Sequence, residues 1–276
     1  FFKQKTAYEI LTCDWSSDVC SSDLLGDEPT HLSQSRDGRY LFVSNYGSRA
    51  NPGGSLAVVP LAKDGTLLPV TQIATHKASE VHPERQQSPH VHSAVMSPNG
   101  KTLFVSDLGA DKIFVYRYDP TNAERPLSPA DPAFISLPDG SGPRHLVFSP
   151  DGSQAYATLE LSAQIARFDH VDGSLVQRQL VDLAAGGDVS LHSPGAIHPS
   201  PDGRFLYVSD RADRTYILVT GLRNMNGQAY VVKIEHHLFA RRSVTMLASH
   251  RRGDEQAARR AQSFFDTARL SATESP

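Results

Sequence analysis

Four side chains in this sequence make an acid–base and cationic set: His92, Arg144, Glu160 and Arg211. An imidazole and a carboxylate can exchange protons, and two guanidinium groups can hold a carboxylate, a phosphate or a developing oxyanion. The four are distant in the chain but related by counting. His92 and Arg144 stand eight residues before Gly100 and Gly152, and Glu160 and Arg211 stand eight residues after Gly152 and Gly203. Each of these glycines closes a Ser-x-Asp/Asn-Gly turn. Thr30, Gly195, Tyr46 and Leu108 fill the matching places around the same turns. Residues equally far from a hairpin turn lie opposite one another, so these positions are expected to flank one rim. An imidazole, a carboxylate and two cations gathered there suit an anionic substrate.

Each member also has a plainer reading. Arg144 and Glu160 lie across one hairpin and can form a structural ion pair, His92 can be a hydrogen-bonded rim residue, and Arg211 can pair with Asp210 or Asp213. The functional reading gains weight because the turn residues repeat whereas the rim residues differ. His90 and His92, expected on one strand face, have His76 and His82 upstream, but no third zinc ligand has a convincing position. The sequence shows no Asp/Asn-rich calcium loop, no phosphate-binding glycine motif and no Gly-x-Ser-x-Gly elbow. The reading therefore includes neither a metal nor a cofactor.

The elements that position this set come from a repeat. Ser35-Arg36-Asp37-Gly38, Ser97-Pro98-Asn99-Gly100, Ser149-Pro150-Asp151-Gly152 and Ser200-Pro201-Asp202-Gly203 each precede an alternating run such as Arg39–Ser44 or Arg204–Ser209. Their glycines are 62, 52 and 51 residues apart. Turns recurring at this period between β-rich runs predict an all-β fold, an incomplete β-propeller of four-stranded antiparallel blades with four to five present. Residues 54–61 and 111–118 read as third strands, and the Asp64-Gly65 and Asp172-Gly173 turns as entries to fourth strands. Residues 120–138 and 183–194 read as longer loops. One domain is expected over residues 25–235.

The two ends depart from the pattern. Asp14–Leu24 back-translates to a sequencing-library adapter read in frame, and Lys3–Ile10 to the other end of the same adapter, so residues 1–24 are read as non-native. That stretch holds both cysteines, Cys13 and Cys20, and the only tryptophan, Trp15. Setting aside its Lys3, Lys5, Glu9, Asp14, Asp18 and Asp23 moves the net charge from −3 to −1. Such a balance gives no reason to expect nucleic acid or an acidic membrane surface, and no apolar run approaches membrane-spanning length. From His236 to Pro276 there are seven arginines and no lysine. This tail reads as a frame slip or a last partial blade, with a basic helix over 254–270 as the alternative. The sequence sets no oligomeric state.

The segments around the rim residues resemble the seven-bladed propeller lactonase family, which includes bacterial 6-phosphogluconolactonases and fungal carboxymuconate-cyclising enzymes. The resemblance is carried by Asn45-Tyr46 leading to Gly53-Gly54-Ser55, Arg85-Gln86 leading to Pro89-His90-Val91-His92-Ser93, and Ser106-Asp107-Leu108-Gly109-Ala110-Asp111-Lys112. Gly142-Pro143-Arg144-His145, Glu160-Leu161 and Ser209-Asp210-Arg211 complete it, so that it covers about residues 30–220. It implies a histidine, two arginines and a glutamate as catalytic residues, which fall on His92, Arg144, Arg211 and Glu160. It also brings His90, His145, Arg85 and Gln86 to the substrate. The implied activity is metal-independent hydrolysis of a small anionic sugar lactone, 6-phospho-D-glucono-1,5-lactone, in the cytoplasm. A lactonising cyclase and a non-enzymatic binding scaffold are the alternatives. The family's ring has seven blades, more than the four turns found here, so the chain is expected to be a fragment.

Overall fold

The computed structural model describes residues 25–47, 53–184 and 188–211, and the backbone of strands at 215–220, 230–239 and 242–251. Residues 1–24 and the helical alternative over 254–270 lie outside the described residues.

The recurring turn is a hydrogen-bonded device that explains its own residue types. The Ser35 hydroxyl donates to Asp37 Oδ1 (2.6 Å) and accepts from the Tyr40 amide (3.0 Å), while the Gly38 amide donates to the Ser35 carbonyl (2.9 Å). The same bonds recur at Ser97 with Asn99 and Thr102, at Ser149 with Asp151 and Gln154, and at Ser200 with Asp202 and Phe205. All four glycines are left-handed, with φ of 72°, 70°, 70° and 67°. A side chain there would be strained, which is why glycine stands at every repeat.

Each turn joins the first two strands of a sheet. The first blade is β1 (Pro29–Gln34), β2 (Tyr40–Asn45), β3 (Ser55–Pro60) and β4 (Gln72–Thr75). The second is β5 (Val91–Met96), β6 (Thr102–Asp107), β7 (Lys112–Tyr118) and β8 (Leu127–Ser136). The third is β9 (Pro143–Phe148), β10 (Gln154–Leu159), β11 (Gln164–Val171) and β12 (Ser174–Asp182). A three-stranded sheet of β13 (Pro194–Pro199), β14 (Phe205–Asp210) and β15 (Thr215–Thr220) follows, then a hairpin of β16 (Tyr230–Phe239) and β17 (Arg242–Arg251). All pairings are antiparallel and sequential, as the expected partial propeller requires. No helix among the described residues is long and apolar enough to cross a membrane.

The core lies between blades. Phe42, Leu56 and Val58 pack against Val91, Leu103 and Val105, and Phe104, Ile113 and Val115 pack against Leu146, Ala157 and Phe168. Tyr156 and Ile165 meet Ile197, Leu206 and Val208. A second strand caught between two neighbours is buried on both faces, so every residue of β6 is buried despite its alternating sequence.

Two expectations need correction. The segment 120–138 is not a loop, because it contains β8, the outer strand of the second blade. Its prolines disguised it. An edge strand tolerates proline because one row of its amides has no partner to serve. The Asp64-Gly65 turn closes only the Leu61–Leu67 bridge, and β4 begins later, at Gln72.

Candidate active site

The inner strands β1, β5, β9 and β13 reach the rim through a shared irregularity. Each carries one extra residue against its partner near the rim: Thr30 in β1, His92 in β5, and one residue within 144–145 in β9 and 195–196 in β13. The counted positions are therefore not strictly opposite one another, as the hairpin argument expected. They lie at β-bulges or next to them, and a bulge re-aims its side chains away from the ladder.

Buried carboxylates fix the entry to these strands. Asp107 Oδ1 accepts from the His90 amide (2.7 Å), and its Oδ2 meets His76 Nδ1 (2.7 Å), whose Nε2 meets the Tyr116 hydroxyl (2.9 Å). Asp111 accepts from the amides of Gly140 and Gly142 (both 2.8 Å), setting the approach to Pro143 and Arg144. Asp210 repeats the device, accepting from the Ser193 amide (2.8 Å) and meeting His192 Nδ1 (2.6 Å). Gly195 stands where the second and third blades carry His92 and Arg144. A β-carbon there would lie 2.8 Å from Ser209 Oγ and 3.4 Å from Arg211 Cγ and Cδ, so its absence makes room for the stem of Arg211.

Glu160 is the hub. Its side chain is 3% exposed, and three arginines converge on it. Arg85 Nη2 donates to Oε1 (2.8 Å), while Arg144 Nε (2.8 Å) and Arg211 Nη2 (2.7 Å) make charge contacts with Oε2. Arg85 is also bound to the Tyr46 hydroxyl (3.2 Å) and Arg211 to the Ser193 hydroxyl (2.9 Å). Arg144 is nearly covered, at 14% exposed, whereas Arg85 and Arg211 reach solvent at 39% and 48%. Burial lowers the Arg144 pKa and the charge of Arg211 adds to the effect, yet an arginine remains a cation at neutral pH. Three guanidinium groups against one carboxylate leave an excess of two positive charges.

Beside this hub lies a row of neutral histidines. His92 packs edge-on to His145, with ring centres 5.3 Å apart, and His145 packs edge-on to His31 at 5.6 Å. Burial holds all three uncharged, lowering their pKa to about 4 for His31, about 3 for His92 and about 2 for His145. The cation of Arg144 pushes His92 and His145 further the same way. His145 Nε2 lies 3.3 Å from Arg144 Nη1, so the neutral ring accepts from the guanidinium. Nδ1 of His92 is buried with no hydrogen-bond partner.

The structure thus gathers Arg144, Glu160, Arg211 and Arg85, with His145 against Arg144 and His92 against His145. His90 and Gln86 are turned to other tasks. His90 precedes β5, its Nδ1 bonds the Tyr46 carbonyl (2.9 Å), its Nε2 meets the Ser88 hydroxyl (3.3 Å), and its ring stacks on Tyr46 at 4.2 Å. Gln86 is fully buried, donating to the Leu108 carbonyl (2.8 Å) and accepting from the His82 amide (3.0 Å). Both support the loop that carries Arg85. Tyr46 and His31 were missed as site residues. Tyr46 holds a counted rim position, while His31 sits one residue off the count. Among the described residues no three His, Cys, Asp or Glu side chains form a metal-holding group.

Comparison with known proteins bears on the family and the fold. Residues 5–236 match the model of the family described as lactonase, 7-bladed beta-propeller. The chain is 31% identical over 208 residues to a 6-phosphogluconolactonase of Formosa agariphila, covering 74% of this chain and 56% of the relative. It is 32% identical over 189 residues to the Bacillus subtilis 6-phosphogluconolactonase, covering 67% and 50%. The chain spans about half the length of these curated relatives. Among solved structures, the periplasmic gluconolactonase of Pseudomonas aeruginosa superimposes with a TM-score of 0.70 at 42% identity, covering 81% of this chain and 74% of that one.

Proposed function

This chain belongs to the seven-bladed β-propeller lactonase family, and from that premise we propose that its rim cluster hydrolyses a phosphorylated sugar lactone, 6-phospho-D-glucono-1,5-lactone, to 6-phosphogluconate. The observation that carries this reading is the three-arginine cluster on Glu160, with its two surplus positive charges and two guanidinium groups open to solvent. A phosphate dianion matches that surplus, and charge-assisted bonds from Arg85 and Arg211 hold it. A neutral lactone leaves the same charges unanswered.

The geometry divides the roles of His92 and Glu160. Both carboxylate oxygens of Glu160 are already engaged by arginines, so Glu160 orients the guanidinium groups. His92 is neutral, so one nitrogen of its imidazole keeps a lone pair that can accept a proton. In the proposed reaction, water attacks the lactone carbonyl carbon and gives its proton to His92. Arg144 stabilises the oxyanion that forms. Collapse of this intermediate breaks the bond to the ring oxygen, which takes the proton back from the imidazolium. Burial is the larger cause of the low proton affinity of His92, and a bound dianion raises that affinity by offsetting the field of Arg144 and Arg211.

The cytoplasmic location expected from the sequence stands beside a relative named as periplasmic, and cell fractionation distinguishes the two. The activity is tested by following acid release from 6-phospho-D-glucono-1,5-lactone with the uncatalysed rate subtracted. Acceleration proportional to protein concentration is expected. No acceleration at any concentration contradicts the proposal.

A further inference from the structure

We propose that Tyr46 is a positioning residue that aims Arg85 into the mouth and thereby sets the preference of the site for a phosphorylated over a neutral lactone. The inference rests on reading the mouth as the substrate site, and it adds a residue and a loop to that site. Tyr46 occupies the first blade's counterpart of Glu160 and Arg211. It carries no charge of its own, yet it touches Arg85 and His92 of the cluster and the neighbouring His90. Its hydroxyl accepts from Arg85 Nη2 (3.2 Å), the same nitrogen that donates to Glu160 Oε1 (2.8 Å). Its ring stacks on His90 with 12° between planes and meets the edge of His92 at 5.7 Å. Its carbonyl accepts from His90 Nδ1 (2.9 Å), which fixes the ring on which it is stacked.

Arg85 needs such a guide because it comes from outside the repeat. It sits in the connection between β4 and β5, where the chain crosses from the first blade to the second. That connection is built as a rigid arm. His82 Nδ1 accepts from the amides of Glu84 and Arg85 (both 3.2 Å), the Glu80 amide donates to the Gln86 carbonyl (3.1 Å), and the Ser79 amide donates to the Gly109 carbonyl (2.8 Å). The arm fixes the backbone of Arg85 but not its long side chain. Tyr46 and Glu160 hold the guanidinium from two sides, one from the first blade and one from the third. A guanidinium pinned at Nη2 keeps its remaining N–H groups directed outward for an incoming anion. Without the phenol oxygen it is tethered on one side only.

The test is the binding of two hydrolysis products, 6-phosphogluconate and gluconate, to the full wild-type chain and to Tyr46→Phe, measured by calorimetry alongside the melting temperature. Tyr46→Phe keeps the ring and its stacking and removes one hydrogen bond to a charged group. The expected result is a loss of about five- to ten-fold in 6-phosphogluconate affinity, little change for gluconate, and an unchanged melting temperature. Equal affinity of the two chains for 6-phosphogluconate overturns the inference, as does a loss seen only with a fall in melting temperature. If the wild type binds 6-phosphogluconate but hydrolyses neither lactone, the proposed reaction fails while the binding ratio still decides the role of Tyr46. If it binds neither product, both readings fail.

Discussion

Glu160 shows how much depends on the bonds a side chain has already made. A carboxylate beside a histidine reads in sequence as one half of an acid–base pair, and the proposed reaction gives it orientation instead because three guanidinium groups already engage it. Glu160→Gln should therefore reduce kcat/KM by at least about ten-fold, because the arginines lose their common anchor, yet leave the shape of the pH–rate profile unchanged. A shifted limb in that profile would restore Glu160 as the base. The histidine row makes a second prediction. His31, His92 and His145 bind protons in the fold only near pH 4, 3 and 2, against about 6.5 in an unfolded chain. Below about pH 6.5 the unfolded chain holds more protons, so the stability contributed by these rings is complete above that pH and is lost as pH falls toward their folded values. The melting temperature should fall between about pH 6.5 and 4, and His145→Gln should flatten the fall; a flat profile in the wild type contradicts the burial of neutral rings. At this scale the sequence was legible where counting from a turn applied, which found His92, Arg144, Glu160 and Arg211. Tyr46 was counted but carries no charge to attract notice. Arg85 lies outside the repeat, so only the family resemblance pointed to it.

Strands and their connections set the aim of these residues. The bulges near Thr30, His92, Arg144 and Gly195 follow from no sequence rule, since a single extra residue leaves the alternation of a short strand almost unchanged. The anchoring carboxylates are just as hidden, because Asp111 serves amides about 30 residues further along the chain. Asp111→Asn removes one of the two oxygens that accept from Gly140 and Gly142. It should cost about 1–3 kcal/mol of stability and misdirect Arg144, lowering kcat more than a surface Asp→Asn change does. Thermal unfolding and steady-state rates measured on the same preparation check it, and a variant matching the wild type in both contradicts the anchoring role. The recurring Ser-x-Asp/Asn-Gly turns, by contrast, were readable. Serine, Asp or Asn, and glycine recur because each makes a defined bond or backbone angle. The outer strand β8 was lost to its prolines, which an edge position permits and a central strand does not.

For the molecule as a whole, the described residues form three four-stranded blades, a three-stranded sheet and a hairpin, and the chain matches about half the length of its curated relatives. The rim cluster is assembled across consecutive blades. Tyr46 comes from the first, His92 from the second, Arg144 and Glu160 from the third, and Arg211 from the fourth, with Arg85 reaching in from the connection between the first two. A propeller suits such a site because each blade delivers a different side chain to the same place while the turns and interfaces repeat. Fold class and rim were legible in the sequence for that reason, since repetition marks the scaffold and deviation from it marks the site. The substrate is carried by charge alone, so it is tested by charge. The most direct measurement is kcat/KM for 6-phospho-D-glucono-1,5-lactone and for unphosphorylated glucono-1,5-lactone, in the wild type and in Arg144→Ala. The account predicts a wild type that prefers the phosphorylated lactone and an Arg144→Ala variant that loses about 2–4 kcal/mol of transition-state stabilisation, a fall of roughly thirty- to thousand-fold. Near-normal hydrolysis by Arg144→Ala, or equal rates on the two lactones in the wild type, contradicts it.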